Sequence, residues 1–319
     1  MKKIFITGGS GTVGTSFIRK YYKKYKFYSF SRGEKAQVAL KRLFPNIEII
    51  LGSIDDHALL SSEINKINPD IVIHAAALKH VDTAEKQPSL VVQANIIGSL
   101  NVIKSSQIAG VPLTVGISTD KACSPDNLYG HSKHFMEKMF LEANNSRSRF
   151  ICCRFGNVAW SNGSVLPFWL SQRKQNNPLW LTDKKMNRLM FTSDEAAELI
   201  NKCLELSETD KDGFILSKKM KTVNMFKLSS LISSKIKIVG LRPGEKVDED
   251  LISNEELEFS YVFNDYILIK NTINKNKKSR LKTPLSSQTA EKMSDEEMMN
   301  LIKNVSENAN KSNIDTKLY

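Results

Sequence analysis

The stretch ITGGSGTVGTSF, Ile6 to Phe17, decides the fold. It begins inside the apolar run KIFIT and opens onto an amphipathic segment that starts at Thr12. Gly8, Gly11 and Gly14 let the backbone approach a pyrophosphate, and the helix behind them turns oriented N–H groups and a partial positive charge toward it. A glycine-rich turn counts for little alone, but strand before and helix after is the context a dinucleotide site demands. Ser10, Thr12 and Val13 fall in the same turn and are candidate cofactor contacts with the glycines.

Moving outward, the pattern of this unit repeats. KIFIT, KFYSF, IEIILG, DIVIHAA, LTVGIST and RFICCRF are near-continuously apolar, as strands covered on both faces should be. Amphipathic segments over 12–24, 34–44, 58–67 and 94–108 read as helices between them. Strict alternation predicts an α/β protein with a Rossmann-type doubly wound parallel sheet, its ligands lying at the carboxyl ends of the strands. From Gly156 the pattern loosens into GNVAWSNGSVLPFWLSQ, followed by a helix over 193–206, a short strand GFILS and a helix over 224–234. The expected organisation is a nucleotide-binding domain at 1–165, a smaller C-terminal substrate-binding lobe at 166–270 partly interleaved with the sheet, and a polar extension at 271–319. The extension carries one helix, with Ser294 and Glu297 in capping-box spacing, and the tail from Asn308 is expected to be disordered.

With 319 residues, 41% hydrophobic and 25% charged, the chain can bury a substantial core. Its net charge of +12 is concentrated in RKYYKKYK and IKNTINKNKKSRLK, and no nucleic-acid recognition motif accompanies it, so nucleic acid is not an expected partner. No run approaches the roughly 18 apolar residues of a membrane span, and no signal peptide is evident. A cytoplasmic protein without membrane insertion is expected. Cys123, Cys152, Cys153 and Cys203 show no CxxC spacing and read as reduced structural residues. The five histidines are left out of the chemistry, and no metal is expected.

The second strand ends in SFSRGEK. A cofactor with a free ribose 2′-hydroxyl calls for Asp or Glu there; Ser31, Arg32 and Lys35 instead suit a 2′-phosphate, which favours NADP(H). The alternative is that Arg32 is an ordinary surface residue. The fifth strand runs into ISTDKACSPDNLYGHSK, Ile117 to Lys133. Thr119, Asp120 and Lys121 fall at its carboxyl end, over the expected nicotinamide. Tyr129 and Lys133, four apart on the following helix, share one face. A Lys ammonium beside the phenol would lower its pKa and let it take a proton from a substrate alcohol as hydride leaves the carbon.

Taken together, GxxGxxG, YxxxK, STDKA, NLYGHSK, FGNV, GSVLPF, MNRL and LRPGEK resemble the UDP-N-acetylglucosamine 4,6-dehydratases of the extended short-chain dehydrogenase/reductases, over about residues 2–251. The resemblance implies that Tyr129 takes the C4 hydroxyl proton, that a neutral Lys121 removes the C5 proton, and that a protonated Asp120 delivers its proton to the departing C6 hydroxyl. It also implies cofactor contacts at Ala75 and Ala76, substrate contacts at Lys79, Asn157, Arg188, Arg242 and Glu245, and a homo-oligomer. The two arginines would suit a diphosphate and Glu245 a ribose or uracil group. His131, Asn187, Leu189 and Ser53 depart from the family pattern at positions that bear on fine specificity. A nucleotide-sugar 4-epimerase or 4-reductase, in which Asp120 and Lys121 only line the site, is one alternative; a cofactor-binding regulatory protein without catalysis is another.

Overall fold

The computed structural model describes residues 1–270 and 280–311, the side chains beyond Lys303 excepted. All six expected strands form: β1 Lys3–Thr7, β2 Lys26–Ser31, β3 Glu48–Leu51, β4 Ile71–His74, β5 Leu113–Thr119 and β6 Arg149–Phe155. The helices α1 Thr12–Tyr21, α2 Glu34–Leu43 and α3 His57–Ile67 connect the first four. The crossover to β5 is more broken than the single helix expected, comprising α4 Val81–Lys86, α5 Pro88–Val91, a π-helical turn Val92–Ile97 and α6 Gly98–Ile108. Pro88 opens α5, because it lacks the N–H that a continuing helix would need. The helix α7, Leu128–Ala143, joins β5 to β6 and carries the tyrosine and lysine of the YxxxK motif.

Beyond β6 come β7 Asn157–Val158, α8 Val165–Lys174, β8 Leu179–Leu181, β9 Asn187–Phe191, α9 Ser193–Thr209 and β10 Phe214–Lys218. They are followed by β11 Thr222–Asn224, α10 Met225–Ser230, β12 Ile236–Ile238, β13 Asp250–Ile252, β14 Ser260–Phe263, β15 Tyr266–Lys270, β16 Leu285–Ser286 and α11 Asp295–Lys311. The main sheet runs β14-β15-β10-β6-β5-β4-β1-β2-β3. From β3 to β10 every pairing is parallel, and the β14–β15 hairpin closes the other edge antiparallel. The order 3-2-1-4-5-6 is that of a Rossmann sheet, whose strand order reverses beside β1. Its ligand crevice therefore opens where β1, β4 and β5 end.

The apolar strands serve two cores. Ile4, Ile6, Phe17, Ile73, Val115 and Phe214 pack on one face under α1 and α9, and Phe5, Phe30, Val72, Val102, Met136 and Phe140 on the other under α3, α6 and α7. A third core, around Trp169, Leu179, Met190 and Leu228, belongs to the small lobe. Met298 and Leu301 of α11 enter it, and Trp160 Nε1 donates to the Leu301 carbonyl at 2.8 Å. The helix expected in a separate extension is thus part of the lobe. Its capping box is present: Ser294 Oγ accepts from the Glu297 N–H at 3.1 Å, and Glu297 Oε2 accepts from the Ser294 N–H at 2.8 Å.

That helix continues through Lys311, so the tail expected to be disordered from Asn308 begins with helical residues; 312–319 lie outside the described residues. Most of the basic run after Ile269 falls within 271–279, also outside them. The other basic run is taken up by the fold, since Arg19 and Lys20 of α1 pair with Asp194 and Glu198 of α9. The four cysteines are buried and unbridged. No helix among the described residues is long and apolar enough to cross a membrane.

Candidate active site

A cleft of about 1620 Å³ opens over the carboxyl ends of β1, β4 and β5, with the small lobe as its opposite wall. The glycine turn forms its floor. Gly8 has φ of +73°, and a Cβ there would sit 2.7 Å from the Ala76 nitrogen; a Cβ on Gly14 would sit 2.6 Å from Gly9 Cα. The backbone of the turn therefore reaches the sheet and the cleft as no larger residue would allow. Gly11 is the N-cap of α1 and its N–H donates to the Gly8 carbonyl at 2.9 Å. Ser10, Thr12, Val13, Ala75 and Ala76 line the same end.

At the tip of β2, Ser31 and Arg32 line the cleft, and Ser31 Oγ is buried with no hydrogen-bond partner among the described residues. Lys35 lies apart from them, exposed on the first turn of α2 and outside the cleft lining. A dinucleotide fits these groups: a cradle that a Cβ would fill, a helix N-terminus, and an orphaned hydroxyl beside an arginine where the ribose would end.

The second constellation is at the end of β5. Thr119 is the N-cap of a 3₁₀ turn, Asp120–Ala122, and this turn aims Asp120 and Lys121 into the cleft. Asp120 is fully buried. Its Oδ1 accepts from Thr119 Oγ1 at 2.8 Å, from the Lys121 N–H at 2.9 Å and from Lys121 Nζ at 3.1 Å. Its Oδ2 has no partner among the described residues and faces Gly156, where a Cβ would come within 3.2 Å. Tyr129 is half-buried beside this group; desolvation pushes its phenol up to about 12, against the charge of Lys121 and a hydrogen bond with Thr119.

Sequence reasoning did not find Glu249. This carboxyl, 3% exposed, lies 3.2 Å from Lys121 Nζ. It precedes β13 by one residue and its N–H donates to Ser287 Oγ at 3.0 Å, so β13 and the segment after β16 hold it against the 3₁₀ turn. Burial works against the Lys121 ammonium and Arg188 opposes it too, but Asp120 and Glu249 outweigh both and hold Lys121 above the usual lysine range. The resemblance implies a neutral Lys121; with the cleft open, Asp120 and Glu249 favour its ammonium. Burial, with the nearby Asp120, raises the Glu249 carboxyl, while Lys121 acts the other way.

Lys133 also differs from expectation. It is buried one turn after Tyr129, but its ammonium donates to Met136 Sδ at 3.1 Å, and the cation acting on the phenol is Lys121. Burial brings Lys133 down to about 8. His74, whose imidazole bonds Thr7 Oγ1 at 2.8 Å and Ser99 Oγ at 3.0 Å, is a satisfied structural group.

The substrate candidates all line the cleft, although they do not act alike. Lys79 is at the mouth, its ammonium lowered by burial. Asn157 starts β7, with Oδ1 buried and unpartnered among the described residues. Arg188 of β9 is turned inward, and its guanidinium donates to the carbonyls of Asn187 (2.8 Å), Val247 (3.0 Å) and Lys246 (2.8 Å). It thus fastens the loop that carries Glu249 and adds positive charge beside Lys121, rather than standing free for a diphosphate. Arg242 pairs with Glu245 at 2.5 Å; burial notwithstanding, this pairing holds Glu245 below the usual carboxylate range.

Sheet order, glycine cradle and the Tyr129–Lys133 helix together define an extended short-chain dehydrogenase/reductase. Residues 4–271 match the family described as polysaccharide biosynthesis protein, and the chain belongs to that family. It is 34% identical over 283 residues to a UDP-N-acetylglucosamine 4,6-dehydratase (inverting) of Campylobacter jejuni, covering 85% of this chain and 84% of that protein. It is 32% identical over 274 residues to a UDP-glucose 4-epimerase of Rickettsia bellii, covering 80% and 79%. The X-ray structure of Pen from Bacillus thuringiensis superposes with a TM-score of 0.86 at 33% identity, covering 95% of this chain and 98% of that one. The resemblance drawn from the motifs therefore extends over most of the chain.

Proposed function

We propose that the protein is a UDP-N-acetylglucosamine 4,6-dehydratase that yields a 4-keto-6-deoxy sugar nucleotide and inverts C5. The observation that carries this reading is the buried Asp120–Lys121 pair, joined through Thr119 to Tyr129. An epimerase or reductase needs a base at one hydroxyl. A dehydratase needs an acid and a base at two further carbons as well, and this site supplies both.

NADP is the cofactor that suits the site, held by the glycine turn, Ala75 and Ala76, with Ser31 and Arg32 toward its 2′-phosphate and Lys35 outside the cleft lining. Bound there, it would take hydride from C4 and return it to C6. Tyr129 removes the C4 hydroxyl proton and Thr119 shares its hydrogen bond. Lys133, buried one turn after Tyr129 on the same helix, also lines the cleft on the cofactor side. Once C4 is a ketone the C5 hydrogen is acidified, and Lys121, a free amine once its ammonium proton has passed to Asp120, takes it. Asp120, through the unpartnered Oδ2, gives a proton to the C6 hydroxyl so that water leaves. C5 is then reprotonated from the opposite face, which inverts it. The C4 proton left on Tyr129 makes good the one Asp120 spends and the C5 proton left on Lys121 makes good the one returned to C5, so the protein regains its starting protonation over the cycle.

Lys79, Asn157, Arg188, Arg242 and Glu245 form the wall that receives the UDP-sugar, Arg188 chiefly by ordering the 246–249 loop. Residues 1–165 then hold the dinucleotide, and 166–270 with α11 hold the sugar nucleotide. A cytoplasmic homo-oligomer is part of the same reading.

The 4-epimerase reading draws on the Rickettsia bellii relative. Product mass decides between them. Incubation with UDP-N-acetylglucosamine in D₂O should give a product lighter by one water, with solvent deuterium at C5 and no added reductant. An isomer of unchanged mass, inverted at C4 alone, would replace the dehydratase reading.

A further inference from the structure

Tyr129 stands in the first turn of α7, where a helix has N–H groups without partners of its own and is least firmly held. Two side chains fasten that turn. Glu85 of α4 accepts from the Leu128 N–H at 2.7 Å, and Asn127, the N-cap, accepts from the Gly130 N–H at 2.8 Å. Asn127 is 3% exposed, and the other end of its amide bonds a different part of the chain: Nδ2 donates to the Gly244 carbonyl at 3.0 Å. Gly244 belongs to the loop between β12 and β13, whose Arg242 and Glu245 line the cleft. This loop leaves the small lobe where the Val239 N–H donates to the Leu181 carbonyl at 2.9 Å, and Arg188 fastens it again at Lys246 and Val247. Between those points it rests on the start of α7 and on α4, so closely that a Cβ on Gly244 would stand 2.9 Å from both Asn127 Cβ and Val81 Cγ1. Lys246 Nζ also reaches the Ser124 carbonyl at 2.6 Å, but Ser124 precedes the helix, whereas Asn127 hydrogen-bonds both the loop and the first turn.

We infer that Asn127 is a positioning residue that ties the 240–245 loop to the tyrosine helix, so that a UDP-sugar drawing on Arg242 and Glu245 also fixes where the Tyr129 phenol stands. One amide serves both ends: its oxygen caps the helix and its N–H holds the loop. The phenol must come within hydrogen-bond reach of the C4 hydroxyl, and a misplacement of about 1 Å can slow such a step by about 10²-fold. A loop detached from α7 would keep Arg242 and Glu245, but the sugar held by it would no longer be in register with Tyr129. The amide bonds Gly130, Gly244 and Asp126 and not the glycine turn, so cofactor affinity is independent of the link.

This inference rests on the dehydratase reading. Its test is Asn127→Ser, which keeps an N-cap of like preference and removes the arm that holds Gly244. C4 oxidation, read as reduced nicotinamide in a single turnover at saturating UDP-N-acetylglucosamine, should slow by about tenfold, the worth of one hydrogen bond. NADP(H) affinity and the denaturant midpoint should stay close to wild type. Gly244→Ala, whose methyl pushes the loop off Asn127, should slow the same step to the same extent, and the double variant should be no slower, since both break one link. A wild-type rate in Asn127→Ser would leave Asn127 a helix cap and overturn the inference. So would an equal loss of NADP(H) affinity, the mark of a general distortion, or losses that multiply in the double variant. Should Asn127→Ser fail to fold, Gly244→Ala decides: a wild-type rate of C4 oxidation overturns the inference and a tenfold slower one with unchanged NADP(H) affinity supports it. If wild type loses no water from UDP-N-acetylglucosamine, the proposed function falls and this inference with it; normal wild-type dehydration with any of the adverse results removes this inference alone.

Discussion

Two clusters in this molecule share one charge pattern, a cation between two carboxylates, and have opposite character. In one, Arg154 stands between Glu137 and Glu256; in the other, Lys121 stands between Asp120 and Glu249. The guanidinium of Arg154 spends every donor it has: Nε on Glu137, one terminal nitrogen on Glu256 and the Leu251 carbonyl, the other on both carboxylates, all between 2.7 and 3.0 Å. It ties α7 to β6 and to the segment after β13, and nothing is left over for a ligand. Lys121 makes two longer contacts, and Asp120 Oδ2 has none among the described residues. That group faces the cleft. The difference teaches that a buried charge cluster is structural when its hydrogen bonds close and chemical when they remain open toward a cavity.

The largest expected effect breaks the open cluster. Lys121→Met should lower C5 exchange and water loss by about 10²- to 10⁴-fold, the usual worth of a positioned base. Bound reduced cofactor and a 4-keto sugar should accumulate in a single turnover. Normal C5 exchange in this variant would assign that step to another base and make the two clusters alike. The matching change in the closed cluster is Arg154→Met, which strands two buried carboxylates and should cost about 3–5 kcal/mol of stability. Denaturant unfolding would measure it, and turnover per folded molecule should be close to wild type. A loss of turnover without loss of stability would mean that Arg154 serves the site.

Much of this was legible in the sequence for identifiable reasons. Strands such as LTVGIST and RFICCRF are buried on both faces, so they show as apolar runs without needing a partner to be known. The glycine turn is legible because strand, turn and helix are contiguous in the chain. Glu249 was not, because its meaning comes from Lys121, far away in sequence and brought close by the β13–β16 pairing and by the hold of Arg188 on the carbonyls of Lys246 and Val247. Arg188 was legible as a site residue but not in its role, since three backbone carbonyls absorb its donors. The β14–β15 hairpin escaped notice because its turn rests on Asn264 at φ of 53°, a local signal weaker than Asn-Gly. Lys133 shares the tyrosine's helix as expected, but spacing along a helix says nothing of which way a long side chain bends.

A smaller effect probes an open arginine against the closed Arg154. Arg32 borders the cleft beside the orphaned Ser31 hydroxyl. Arg32→Ala should weaken NADP(H) by about 10- to 100-fold, corresponding to the roughly 1.5–3 kcal/mol of a hydrogen bond to a charged group. NAD(H), without the 2′-phosphate, should bind nearly as before. Equal weakening of both, by titration of the bound dinucleotide, would show that Arg32 supports the fold or the adenine instead.

The smallest expected effect extends the comparison to the surface. Lys20 and Glu198 join α1 to α9 at 2.7 Å, as close as the contacts within either buried cluster, but their side chains are 33% and 49% exposed. If proximity alone set the worth of an ion pair, this one would rival Arg154. Water changes that, because solvation of the separated charges competes with their attraction and ordering two long side chains costs entropy. What holds α1 against α9 is apolar, Phe17 and Ile18 against the Ala196, Ala197 and Ile200 side of the same core. A double-mutant cycle with Lys20→Ala and Glu198→Ala should therefore give a coupling of about 0.2–1 kcal/mol. It should shrink further as salt rises from about 0.01 to 0.15 M, where the screening length falls from roughly 30 to 8 Å. A coupling above about 2 kcal/mol, or one indifferent to salt, would show that burial is not what separates the closed cluster from the surface pair.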